Sequence, residues 1–213
     1  MGSVQSRITV IGKILFLCVI CAICNTAFSY LLNIQLKVPL FVDTIFTVAI
    51  SFSAGLLPGI LTGVLSPLAS FLRDYSLTGL PFEIRWFSFT ICILAEVALV
   101  CFFHAKIKPR EEIFLQKPSL NSFIGIATHL LVLVALDCIV ISVCGGVIDF
   151  ILGKFFAPLA SSFEDAFELS LLRNNVPVLA SAILSRIPIN LVDRFIAVFG
   201  GYGISLVFRK TVL

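Results

Sequence analysis

Histidine and charge are both scarce in this chain. It has two histidines in 213 residues, and Asp, Glu, Lys and Arg together make up 13%, against roughly 25% in soluble domains. With only His104 and His129 there is no His-rich metal or haem cage, and H-E-x-x-H, P-loop and G-x-S-x-G signatures are all missing. The expectation is therefore a non-enzymatic protein, with no catalytic residue and no cofactor of its own. If ATP drives it, another chain binds the ATP. A basic face of the kind that binds nucleic acid is also lacking, and the net charge of +3 is small.

A disulfide framework is excluded as well. The seven cysteines, Cys18, Cys21, Cys24, Cys92, Cys101, Cys138 and Cys144, all fall inside apolar runs, where a thiol acts as a small hydrophobe. Cys18, Cys21 and Cys24 recur at three-residue spacing, but no His or fourth thiol lies near them in sequence. A metal site is not expected from an incomplete ligand set.

What the chain has in abundance is apolar surface: 59% hydrophobic residues and a mean hydropathy of +1.11. The bilayer is its expected solvent, and 213 residues suffice for about six spans of roughly 20 residues each. The uninterrupted run Ile14 to Leu32 exceeds a signal-peptide core of roughly 7 to 15 residues. Apolar runs fall at about 8–33, 39–54, 57–72, 82–104, 120–148 and 188–208. Because backbone groups in lipid must be satisfied within the segment, these runs are expected to be helices.

The expected fold is all-α: a single polytopic domain over 1–213, a six-helix bundle with short second and third helices. Pro39 to Leu72 as one helix would be about 51 Å long at 1.5 Å per residue. Gly55 and Pro58 supply the break, giving two short helices or a re-entrant hairpin. Between Ser161 and Asn175, Phe163, Phe167, Leu171 and Leu172 recur opposite Glu164, Asp165 and Glu168. This pattern reads as an amphipathic helix at the outer surface. A short helical piece over Val178–Ser185 is expected to follow, with Pro188 opening the last span in its first turn.

Basic residues set the expected orientation. Arg7, Lys13, Lys106, Lys108, Arg110, Lys117, Arg209 and Lys210 fall on one side; Lys37, Arg73, Lys154 and Arg173 fall on the other. The excess on the first side predicts cytoplasmic N- and C-termini in a multi-pass membrane protein.

A charge at the centre of a membrane helix costs on the order of 2.5 to 3.5 kcal/mol, so such residues tend to be functional or paired. By depth, Asp43, Arg85, Trp86, Asp137, Asn190, Asp193 and Arg194 are expected in the outer half, where they would form a polar, substrate-binding cavity. Glu96 and His129 are expected to meet as a helix-to-helix link, and Gly55, Gly59 and Gly63 to form a packing stripe along one helix face. Cys18, Ala22 and Thr26 make a similar ridge of small groups on the first helix, suited to bundle packing or to a partner.

The segment P-L-F-V-D-T-I-F-T-V at 39–48 with G-x-x-P-G-I-x-x-G at 55–63 resembles the second and third helices of the substrate-binding S components of energy-coupling factor transporters. R-I-P-I-N-L-V-D-R-F-I-A-V-F at 186–199 resembles the start of their sixth helix. Similar modules occur as membrane sensor regions of bacterial signalling proteins. The resemblance implies capture of a vitamin or related micronutrient at the outer face of the bacterial cytoplasmic membrane, then docking on a transmembrane coupling subunit that carries two ATPases. In the family, small residues on the first helix contact that subunit, which would assign docking to Cys18, Ala22 and Thr26. The alternatives are a ligand-sensing membrane domain and a small proton-coupled carrier working alone.

Overall fold

A computed structural model describes residues 2–78, 85–155 and 163–211, and every regular element among them is helical. These are α1 (Gly2–Tyr30, continued by a π turn over Leu31–Gln35), α2 (Ile45–Ala54), α3 (Leu56–Thr78), α4 (Arg85–Ser88), α5 (Thr90–Gln116), α6 (Leu120–Phe155), α7 (Phe163–Arg173) and α8 (Val178–Thr211). Five helices, α1, α3, α5, α6 and α8, are long and apolar enough to cross a membrane, compatible with a multi-pass membrane protein. Phe16, Phe102, Ile139 and Val207 are among the large apolar side chains left on the outside. Helices that are apolar on all sides need lipid, or more protein, around them.

The third helix is not short. Leu56–Thr78 has 23 residues, because Arg73, Asp74 and Ser76 end the apolar run without ending the helix. The second is short at 10 residues. It begins only at Ile45, since the chain over 36–44 is irregular and Lys37 and Val42 have φ of 52° and 38°. Gly55, at φ 89°, separates α2 from α3, a conformation that only glycine adopts freely. α2 and α3 thus form a tight helical hairpin.

Two further boundaries differ from expectation. α5 runs on through Pro109 to Gln116, because Lys106, Lys108, Arg110, Glu111 and Glu112 are polar but good helix formers and Ile107 is buried in the bundle. α8 is continuous from Val178, with Pro188 inside it rather than in its first turn. Proline is tolerated within a helix packed against neighbours that re-satisfy freed backbone groups. Here Cys138 Sγ on α6 packs beside the proline, donating to Ile187 O at 3.7 Å.

The main core joins α2, α5, α6 and α8 through Val48, Phe52, Val100, Phe103, Leu133 and Val198. Phe52 meets His104 and Tyr202 edge-on, at centroid distances of 5.8 and 5.5 Å. A second cluster packs Leu17, Cys18, Cys21 and Ile50 together, with Ile14 and Phe208 against it. The start of α1 and the end of α8 therefore share one end of the bundle, here called proximal. The opposite end is distal.

Small residues permit the close approaches. A Cβ on Gly59 would lie 2.8 Å from Val97 Cγ1, and one on Gly63 would lie 2.9 Å from Ile93 Cγ2. Gly59 also faces Ser51 of α2, so Gly59 and Gly63 sit where α3 meets α5 and α2. Gly201 does the same for α2 and α8, where a Cβ would come within 2.6 Å of Val48 Cγ1. α7 lies in the 161–175 region expected to be amphipathic; Phe167, Glu168, Leu171 and Leu172 are half-buried while Asp165 and Leu169 are exposed.

Candidate functional site

The N-terminus of α2 lies inside the bundle, and charged groups gather around it. Thr44, its N-cap residue, is buried. From α8, Arg194 donates from Nη1 to Thr44 Oγ1 at 3.1 Å and pairs through the same nitrogen with Glu96 Oε1 of α5 at 2.6 Å. Its Nη2 pairs with Asp193 Oδ2. Thr44 Oγ1 in turn donates to Glu96 Oε1 at 3.3 Å.

Asp193 also holds the irregular segment. Its Oδ1 accepts from the Val42 N–H at 2.6 Å, and Val42 is fully buried. A β-branched residue at positive φ is a backbone outlier that costs of order 1–3 kcal/mol and persists only where its surroundings hold it. The carboxylate of Asp193 provides one such fixture. α8 thereby joins α5 through Arg194 and the 36–44 segment through Asp193.

Burial sets the strength of these interactions. Arg194 is 4% exposed, while Glu96, Asp137 and Asp193 are 0% exposed. Four acids, Glu96, Asp193, Asp137 and Asp43, act on this one guanidinium. Asp43, half-buried in the loop before α2, has its carboxyl pushed up to about 6 by burial, reinforced by Asp193 and opposed by Arg194. The positive end of the α2 dipole moderates the excess of negative charge.

Of the residues expected in an outer cavity, the fold brings Asp43, Asp137, Asp193 and Arg194 together. Asn190 lies beside them as an α6–α8 tie, donating from Nδ2 to Ser142 Oγ at 2.9 Å. The side chains of Arg85 and Trp86 lie outside the described residues.

Glu96 and His129 do not meet. Glu96 stands within two turns of the distal start of α5, whereas His129 lies in the proximal third of α6 and its Nδ1 is 2.7 Å from Gly125 O. The expected match of depths fails because α5 continues beyond its apolar run, which moves its proximal end away from Glu96. That acid belongs instead to the charged cluster.

Cys18, Ala22 and Thr26 also differ from the docking surface that the resemblance implies. All three are buried within the chain. Cys18 Sγ donates to Pro58 O at 3.6 Å, and Thr26 Oγ1 lies 3.4 Å from Ser66 O and 3.2 Å from Ser70 Oγ. Their small size serves the α1–α3 contact.

Sequence reasoning missed two polar devices near the cluster. Asn25 of α1 donates from Nδ2 to Thr47 Oγ1 at 2.8 Å and Ser66 Oγ at 3.1 Å, while its Oδ1 accepts from Phe46 N at 2.9 Å. It thus satisfies an N–H in the first turn of α2 from another helix, a role usually filled by the N-cap side chain. Arg186 of α8 pairs with Asp149 of α6, Nε to Oδ2 at 2.7 Å, and lies over the Phe89 ring at 5.2 Å. A polar residue alone in an apolar run is the signal that could have found Asn25; Asp149 and Arg186 stand near ends of predicted runs and offered less.

Two grooves of about 450 and 380 Å³ lie elsewhere. The first is between α1 and α3 near Tyr30 and Arg73, the second between α6 and α8 near Val134 and Phe195. Among the described residues, no group of three or more His, Cys, Asp or Glu side chains is arranged to hold a metal ion. Comparisons with protein-family models, with curated proteins and with solved structures find no match to this chain.

Proposed function

We propose that this protein is a membrane-embedded solute-binding subunit of an importer of the energy-coupling factor type, taking a small nutrient at the distal end of the bundle. The observation that carries the reading is the cluster of Glu96, Asp137, Asp193 and Arg194 around the start of α2. Irregular backbone at membrane depth is tolerated where protein buries it or where it lines a cavity. Interrupted helices that place polar groups near the middle of a bilayer are a recurring way to build a solute site.

Lys13, Lys106, Lys108, Arg110, Lys117, Arg209 and Lys210 stand toward the proximal end, which by the positive-inside tendency faces the cytoplasm. The distal end then faces outward in a bacterial cytoplasmic membrane. The chain supplies binding, and a transmembrane coupling subunit with an ATPase pair supplies the energy. Because Cys18, Ala22 and Thr26 are buried, docking on that subunit uses other surfaces.

The test is purification in mild detergent from the native host, followed by mass spectrometry of bound small molecules and co-purifying proteins. A small organic nutrient near 1:1 and a membrane subunit with an ATPase are expected. Recovery with neither, together with no thermal shift across a panel of vitamins, would overturn the reading.

A further inference from the structure

Arg194 leaves part of its acidic surroundings without a partner. Its Nη1 and Nη2 meet Glu96 Oε1 and Asp193 Oδ2, but no protein donor among the described residues reaches Glu96 Oε2 or either oxygen of Asp137. Asp137 is 0% exposed, and its carboxyl neighbours that of Glu96 beside Arg194. Two ionised carboxylates are both acceptors, so a direct contact between them is favourable only when one of them carries a proton.

The surrounding charges point the same way. From α8 come Arg194 and Asp193, and from the 36–44 segment Asp43 with the neutral hydroxyl of Thr44. Glu96 comes from α5 and Asp137 from α6. Fully ionised, these groups would set four negative charges against one positive charge. An isolated buried charge neutralises rather than persist at such a cost, and adjacent carboxyls avoid joint ionisation by sharing a proton.

We propose that Glu96 and Asp137 form a proton-binding site in the bundle, with one proton shared between the two carboxyls beside the Arg194 ion pair. One carboxyl donates its O–H and the other accepts, so Glu96 can keep its pairing with Arg194 through Oε1. The proton is taken from solvent and returned to it, and no other bond is made or broken. The site exists whether or not the chain also binds a solute.

Infrared spectroscopy of the full chain in detergent tests this directly. At about pH 8, well above the ordinary carboxyl range near 4, wild type is expected to retain a carbonyl stretch from a protonated carboxylic acid. The band should be lost in Glu96→Gln and in Asp137→Asn but kept in Asp43→Asn. A wild-type spectrum without the band at that pH would overturn the proposal, as would a band that survives both substitutions. If neither variant folds, the wild-type spectrum and its slow shift in heavy water, expected for a buried proton, decide the matter.

Discussion

Arg194 Nη1 lies 2.6 Å from Glu96 Oε1, joining α8 to α5 across the interior at the start of α2. Both side chains are buried, so each depends on the other more than any surface pair would. Removing one partner of a buried ion pair leaves an uncompensated charge, at a cost of about 3–5 kcal/mol.

Arg194→Met should therefore lower stability by about 3–5 kcal/mol, because it strips Glu96 and Asp193 of their counter-charge. Arg194→Met with Glu96→Gln should lose less than the sum of the two single substitutions. Thermal unfolding in detergent, followed by a thiol-reactive dye, reads this through Cys18, Cys21, Cys92 and Cys138, which are free and buried in the fold. Additive losses would show that the two groups do not interact.

Asp43 gives a pH dependence with a definite sign. Its carboxyl rises from 3.8 to about 6 in the folded chain, mainly through burial. Between those values the folded state binds more protons than the unfolded one, so stability falls as pH rises. The contribution is complete below the lower value and lost as pH passes the upper one, amounting to at most about 3 kcal/mol at 1.36 kcal/mol per pH unit. Asp43→Asn should flatten the unfolding-temperature profile in that window; an unchanged slope would assign it to other groups.

Gly59 should tolerate no added carbon. Its Cβ would collide with Ser51 Oγ of α2 and lie 2.8 Å from Val97 Cγ1 of α5, whereas nothing lies within 4 Å of a Cβ on Gly12. Gly59→Ala is expected to cost about 1–3 kcal/mol through overpacking. Gly12→Ala should be neutral or gain up to about 1 kcal/mol from helix propensity. The same dye-based unfolding of both variants provides the comparison, and equal effects would show that α3 does not pack tightly on α2 and α5 there.

Much of the helical layout was readable because apolar runs locate helices in lipid. Asp137, Asp193 and Arg194 were readable for a related reason: charges at those depths need a purpose. Glu96 was misplaced because helix ends follow backbone continuity, and α5 carries its polar tail to Gln116. Asn25 went unread because its partners, Phe46, Thr47 and Ser66, lie on α2 and α3, and no local period signals such a meeting. Nor does sequence alone show that Val42 has a positive φ, since its valine side chain argues against it.

The ten residues of α2 bear on how the protein is made. A helix of that length spans about 15 Å at 1.5 Å per residue, half the hydrocarbon thickness of about 30 Å. An insertion machinery that selects segments by hydrophobic length would pass over α2 but accept α3, which has 23 residues. On that argument α2 would follow α3 into a bilayer as the shorter arm of one hairpin, with Gly55 at its tip. Lengthening that tip with a flexible insert should impair assembly of the nascent chain more than it disturbs any contact of the finished fold.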